Sequence, residues 1–147
     1  MNGLNVVKVG PDDFEELAEV WEASVRATHD FLSEADIREL RSLLPVRYLP
    51  AVELRCLRDA GRLVAFIGLD GSHIAMLFVR PEYRGRGCGR KLVEWAVARQ
   101  EADSVDVNEQ NPQAMGFYLR MGFAVAGRSE TDDVGRPFPI LHLRLEK

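Results

Sequence analysis

Cysteine is scarce in this chain. Of 147 residues only Cys56 and Cys88 are cysteines. They stand far apart and match no metal-ligand spacing, so neither a disulfide framework nor a cysteine-built metal site organises the fold. That usage points to a reducing, cytoplasmic setting, with no metal expected. Positive charge is not in excess either: 19 Lys and Arg against 23 Asp and Glu leave a net charge of −4. General nucleic-acid binding needs a basic face, and this balance argues against it. No hydrophobic run is long enough to span a membrane. Met1–Asn5 has neither the charged head nor the apolar stretch of a signal peptide. There is no internal repeat, low-complexity stretch or linker. What is present is ordinary: 46% apolar and 29% charged residues, the proportions of a globular protein. The length predicts a single domain over 1–147 with one core.

One stretch departs from this ordinary background. Leu77-Phe78-Val79 is an apolar run that Pro81 stops. Gly85, Gly87 and Gly89 then alternate with other residues, and the amphipathic segment Leu92 to Arg99 follows. The pattern predicts strand, tight loop, helix. The glycines let the backbone turn sharply and come close to a ligand, and the helix points its first N–H groups back into the loop. Such a helix start attracts phosphate. Arg84, Arg86, Arg90 and Lys91 concentrate four cations there in an acidic chain, which suits a polyanion such as a pyrophosphate. It is not a P-loop, because no Gly-Lys-Ser/Thr follows. Nor is it the dinucleotide fingerprint, since the third glycine would fall on Arg90.

The rest of the chain supplies a mixed set of elements. Val6-Val7-Lys8-Val9 alternates as a first strand. Pro11-Asp12-Asp13 opens a helix, with Asp12 the expected cap, and Phe14, Leu17, Ala18, Trp21 and Val25 form its apolar face. Thr28-His29-Asp30 breaks the periodicity. Ser33 then caps a second helix that Pro45 and Pro50 bound. Val52 to Cys56, Leu63 to Ile67 and His73 to Val79 read as an antiparallel meander, with Asp70-Gly71 as a hairpin turn. After the loop helix, Ser104 to Asn108 is a strand expected to pair in parallel with the one before the loop. Asn111-Pro112 starts a further helix, with Ala114, Phe117 and Met121 expected inward, and Gly122 ends it. Strands from Phe123 and over Ile140 to Leu145 flank a long polar loop, Ser129 to Pro139, that includes Asp132 and Asp133.

Arg84-Gly85-Arg86-Gly87-Cys88-Gly89 after Val79-Arg80-Pro81 resembles the acetyl-CoA loop of the GNAT N-acetyltransferases. Asn111 and Tyr118, seven apart and followed by Met121-Gly122-Phe123, are similar to a second segment of that family. The element order matches the GNAT fold over nearly the whole chain. Arg26-Ala27-Thr28-His29-Asp30-Phe31-Leu32 further resembles the bacterial YjaB-like branch. The resemblance implies an α/β (α+β) fold: a central mixed, mostly antiparallel sheet of six to seven strands flanked by about four helices. It also implies acetyl transfer from acetyl-CoA to a primary amine by direct attack.

The family's roles carry over residue by residue. The strand edge Leu77, Phe78 and Val79 pairs with the pantetheine arm, and its N–H groups stabilise the oxyanion. Gly85 to Gly89, Cys88 included, hold the pyrophosphate, with Arg84, Arg86 and Arg90 beside it. Asn111 reaches the cofactor from the opposite wall. Tyr118 is the general acid, suited because a phenol stays protonated near neutral pH. Against this stands a plain core tyrosine on an apolar face, a place that Phe117 fills more naturally. The base is open. Asp106 occupies the place of a glutamate that some members carry, and His73 and His29 are rivals; His142 is the weakest candidate. His29 and Asp30 are expected on the substrate side. Cys88 is not expected to act as a nucleophile, since it lies between glycines claimed by phosphate. Asp30, Glu34, Asp132 and Asp133 hint at a cationic acceptor, either a small molecule or a peptide amine. Oligomeric state is left as monomer or homodimer. A different class of protein, a CoA-binding sensor without turnover, is the alternative.

Overall fold

The computed structural model describes residues 4–132 and 135–146. In chain order it holds β1 (Val6–Lys8), α1 (Phe14–Thr28), α2 (Glu34–Leu43), β2 (Glu53–Asp59), β3 (Arg62–Asp70), β4 (His73–Val79), α3 (Cys88–Gln100), β5 (Ser104–Asn108), α4 (Pro112–Arg120), β6 (Phe123–Ser129) and β7 (Ile140–Leu145). The seven strands form one sheet in the order β1-β2-β3-β4-β5-β7-β6. Only β4 and β5 run parallel, joined by the crossover through α3; every other pair is antiparallel. The mixed, mostly antiparallel sheet expected from the sequence is therefore present.

Helices cover both faces. Leu17, Val20 and Trp21 of α1 and Ile37 of α2 pack with Leu54, Cys56, Leu63 and Phe66 of the sheet. On the other face Leu92, Val93 and Ala96 of α3 and Tyr118 of α4 pack with Ile67, Ile74, Val105, Val107 and Leu143. Leu17 and Leu92 are fully buried, and each contributes about 2 kcal/mol by leaving water.

Two local features depart from what the sequence predicts. The Asp12 cap is not formed: Gly10 is the residue before a 3₁₀ turn, Pro11–Asp13, that leads into α1, and the Asp13 carboxylate accepts from the Gly10 N–H at 3.0 Å. α2 ends at Leu43, two residues before Pro45, as expected. The chain continues as a π-helical turn, Leu44–Tyr48, closed by the Leu49 N–H to the Leu44 carbonyl. That wider turn has no need of the N–H proline lacks. Ser33 does cap α2, accepting from Asp36 N at 3.1 Å. The second departure shapes the site. In β4, Ile74 pairs with Leu69 and Met76 with Gly68, so Ala75 is an unpaired bulge. Ile74 joins the α3 side of the core, whereas Met76 and Phe78 join the α1 side. Pairing with β5 is confined to His73–Ser104 and Ile74–Val105. Beyond the bulge the two parallel strands splay. Asp133, part of the expected polar loop, lies outside the described residues.

Candidate active site

The splay opens a cavity of about 850 Å³ between β4 and β5, floored by Ile74 and Val105 and closed by the glycine loop, α4 and the end of α1. Every residue expected to bind the cofactor lines it except Arg86. Gly85 and Gly87 adopt positive φ, +75° and +83°, where a side chain is strained. Gly87 is the residue before α3. The first α3 backbone bond runs from Lys91 N to the Gly87 carbonyl at 2.9 Å, so the preceding N–H groups have no carbonyl within the helix. Leu77, Phe78 and Val79 are half-buried and present one backbone edge to the cavity.

The cations divide. Arg84 and Arg90 line the cavity. Arg84 donates to the Gln113 side chain on α4, spanning the two walls. Arg86 does not line it; its guanidinium lies over the Tyr83 ring, 5.1 Å from the centroid. Lys91 donates to the Leu4 carbonyl. Two of the three arginines expected beside the pyrophosphate therefore line the cavity. Cys88 is buried, and burial pushes its thiol up, the opposite of an activated nucleophile.

On α4 the burial differs from the expectation. Tyr118 is only 5% exposed, whereas Phe117 is half-buried. The Tyr118 ring meets Phe117 and Phe123 edge-on, with centroids 5.0 and 5.5 Å away. It is a core residue and a cavity residue at once. Its hydroxyl makes no hydrogen bond to the described residues, yet is not sealed from the cavity. Burial pushes the phenol up, so it stays protonated and has a proton to donate.

Asn111 and His29 meet across the cavity. Asn111 Oδ1 accepts from Ala114 N (3.2 Å) as the α4 cap, which fixes the amide orientation. Its Nδ2 then donates to His29 Nε2 at 3.3 Å. Thr28 Oγ1 gives its hydrogen to the Ser24 carbonyl (2.8 Å) and so accepts from His29 Nδ1 at 2.7 Å. His29 is therefore the neutral Nδ1–H tautomer, and burial lowers its pKa. Asp30 is exposed and outside the cavity wall, and Glu34 is engaged by Arg26 at 2.5 and 3.1 Å. Neither supports the acidic acceptor rim.

The candidate bases separate as well. Asp106 lines the cavity; His73 does not. Val105 and Val107 are buried toward α3, so Asp106 between them faces the opposite side. There it contacts His142 (2.6 Å) and, more distantly, His73 (3.5 Å). Gln113, Ser24 and the Ala75 bulge were missed from sequence. Gln113 stands in the first turn after Asn111, but nothing in its type marks it.

A sheet parted beside a glycine-loop helix start is an arrangement suited to holding an extended, phosphate-bearing ligand. Residues 22–139 match the GNAT acetyltransferase domain model, and the chain belongs to that family. It is 44% identical over 141 residues to the peptidyl-lysine N-acetyltransferase YjaB of Salmonella typhimurium, covering 95% of this chain and 97% of that protein. It is 45% identical over 133 residues to the Escherichia coli K12 protein of the same name, covering 90% of each. The solution structure of apo YjaB from Escherichia coli superposes with a TM-score of 0.88 at 42% identity, covering 96% of both chains. The chain is an N-acetyltransferase of the YjaB-like branch. No helix among the described residues is long and apolar enough to cross a membrane.

Proposed function

We propose that this chain acetylates lysine side chains of peptides or proteins, using acetyl-CoA and direct attack by the neutral amine. The observation that carries the reading is a single cavity with a protonated Tyr118 on one wall and Asp106 and His29 on others. Its 44–45% identity to two peptidyl-lysine N-acetyltransferases supports this acceptor class. The reading includes a one-domain, cytoplasmic protein, monomer or homodimer, using no metal.

The residues divide the work. The α3 N–H groups and Arg84 and Arg90 hold the pyrophosphate. The β4 edge after the bulge, Leu77 to Val79, hydrogen-bonds the pantetheine amides as an added strand would. Its N–H groups stabilise the charge that gathers on the acetyl oxygen. Asn111, aimed by His29, offers its second N–H from the facing wall. A lysine ammonium must lose a proton first, because its ordinary pKa is about 10.4; in this reading it goes to His73, beside Asp106 at 3.5 Å. Tyr118 then gives its proton to the sulfur as the C–S bond breaks, and regains one from the newly bonded nitrogen.

The test is direct. Incubated with acetyl-CoA and lysine-containing peptides, the protein should release free CoA and add 42 Da (about one acetyl group, on the order of one per lysine) to the side-chain amine. Acetylation confined to peptide N-termini or small polyamines would reject the lysine reading.

A further inference from the structure

His73, Asp106, His142 and Ser129 come from four strands and meet on the sheet face that also carries α1. The register sets Asp106 opposite His142 in β7 and His73 beside Ser104 in β5. Asp106 Oδ1 lies 2.6 Å from His142 Nδ1, and His142 Nε2 lies 2.7 Å from Ser129 Oγ. His73 Nδ1 lies 2.8 Å from Ser104 Oγ, and its Nε2 lies 3.5 Å from Asp106 Oδ2. Asp106 and His142 keep about 40% of their side-chain surface exposed.

These distances assign hydrogens. An ionised carboxylate only accepts, so the hydrogen in the 2.6 Å contact is on His142 Nδ1. In the neutral imidazole, His142 Nε2 then accepts from the Ser129 hydroxyl. Asp106 Oδ1 is tied, the carboxylate plane is fixed, and Oδ2 is left toward His73. At 3.5 Å, Oδ2 and His73 Nε2 are too far apart for a good mutual hydrogen bond. They are close enough for one nitrogen donor to reach both. The other charged groups of these strands are paired elsewhere: Arg144 with Asp103 at 3.6 Å and Arg128 with Glu109 at 2.6 Å.

The geometry points to a two-pronged seat for the acceptor ammonium, formed by Asp106 Oδ2 and His73 Nε2 and aimed by His142 and Ser129 as positioning residues. This rests on the lysine reading and names the groups that recognise the lysine. Asp106 belongs to the cavity wall one residue past the last β4–β5 pair, so a cation seated there adjoins the splay. The ammonium N–H bond breaks as His73 Nε2 gains the proton, with Nδ1–H donating to Ser104. Asp106 stays ionised and stabilises the imidazolium, and His73 later passes the proton to water. The freed lone pair forms the N–C bond while the C–S bond breaks.

A polar ladder that merely stabilised the sheet would have the same contacts, so the test must read more than folding. The acceptor is a lysine peptide that the wild type acetylates, at saturating acetyl-CoA. Asp106→Asn should raise its KM at least about tenfold, the cost of one charge-assisted contact, with acetyl-CoA affinity by calorimetry unchanged. His73→Ala should lower kcat more than it raises KM. His142→Ala should raise KM and displace the acid limb of the kcat/KM profile. His142→Asn, whose amide N–H falls near the place of Nδ1, should restore most of both. Wild-type KM and pH profiles in Asp106→Asn and His142→Ala together would overturn the seat. Should His142→Ala misfold, Asp106→Asn and His142→Asn carry the decision. Should the wild type acetylate only other amines, the lysine reading fails, and the same comparison on those amines still judges the seat.

Discussion

Asn111 Nδ2 donates to His29 Nε2 across 3.3 Å, joining the cap of α4 to the last turn of α1. Both polar ends of Asn111 are thereby committed: its oxygen to the helix start, one N–H to the imidazole. A neutral histidine is required for this contact, since an imidazolium has no lone pair to offer.

A pH dependence of stability follows. Burial holds the folded His29 pKa below its ordinary value, so between the two values the unfolded chain binds more protons. The stabilising share is complete above the ordinary imidazole pKa of about 6.5 and is lost as pH falls toward the lower folded value. Urea midpoints at pH 7.5 and 5 should fall for the wild type, and fall less for His29→Gln. Equal losses in both proteins would remove His29 from the explanation.

Tyr118→Phe deletes a hydroxyl that bonds to nothing among the described residues and keeps the ring packing. Folding and acetyl-CoA affinity should be nearly unchanged. The kcat and kcat/KM should fall together, by about 10²-fold, the low end for a general acid because a thiolate leaves readily. A wild-type rate, with chemistry shown to limit turnover, would leave Tyr118 as packing only.

Gly87→Val places a β-branched residue at φ +83°. The strain should cost about 1–2 kcal/mol and lower the apo Tm by several degrees. Independently of that loss, the Tm increase on adding acetyl-CoA should vanish. Retention of the full ligand shift would show that the loop backbone does not hold the pyrophosphate.

Arginines of the same loop should behave differently. Arg84 lines the cavity; Arg86 stacks on Tyr83. Arg84→Ala should weaken acetyl-CoA binding about tenfold and flatten its salt dependence, while Arg86→Ala should do neither. Calorimetry at two ionic strengths distinguishes them.

The sheet, the capped helices and the glycine loop were legible because each is encoded over a short span: alternation in His73 to Val79, Ser33 before α2, Asn111-Pro112 before α4. What escaped depends on contacts distant in sequence. Ala75 sits in a regular apolar run and nothing local marks it as a bulge; the register against Gly68 and Leu69 decides that. His142 was ranked last among the bases, yet it is the closest partner of Asp106, 36 residues away. Only the pairing of β5 with β7 brings them together. Tyr118 and Phe117 differ by one helical step, about 100° of rotation, and the exact roll of α4 sets which is deeper. Arg86 lies over the Tyr83 ring, a contact that composition does not encode.

The seven strands amount to two blocks, β1 to β4 and β5-β7-β6, stitched in the sheet by two residue pairs, His73–Ser104 and Ile74–Val105. A molecule lying in the splay would complete the seam by bonding the β4 edge. Local opening at such a seam falls as ligand concentration rises. Amide exchange in Val105 to Asn108 should therefore slow with acetyl-CoA far more than in Leu63 to Ile67, where the ladder on both sides is already closed. The core under α3 spans both halves, and the ligand would add the backbone bonds that the seam lacks, so the seam's local opening would track the supply of cofactor.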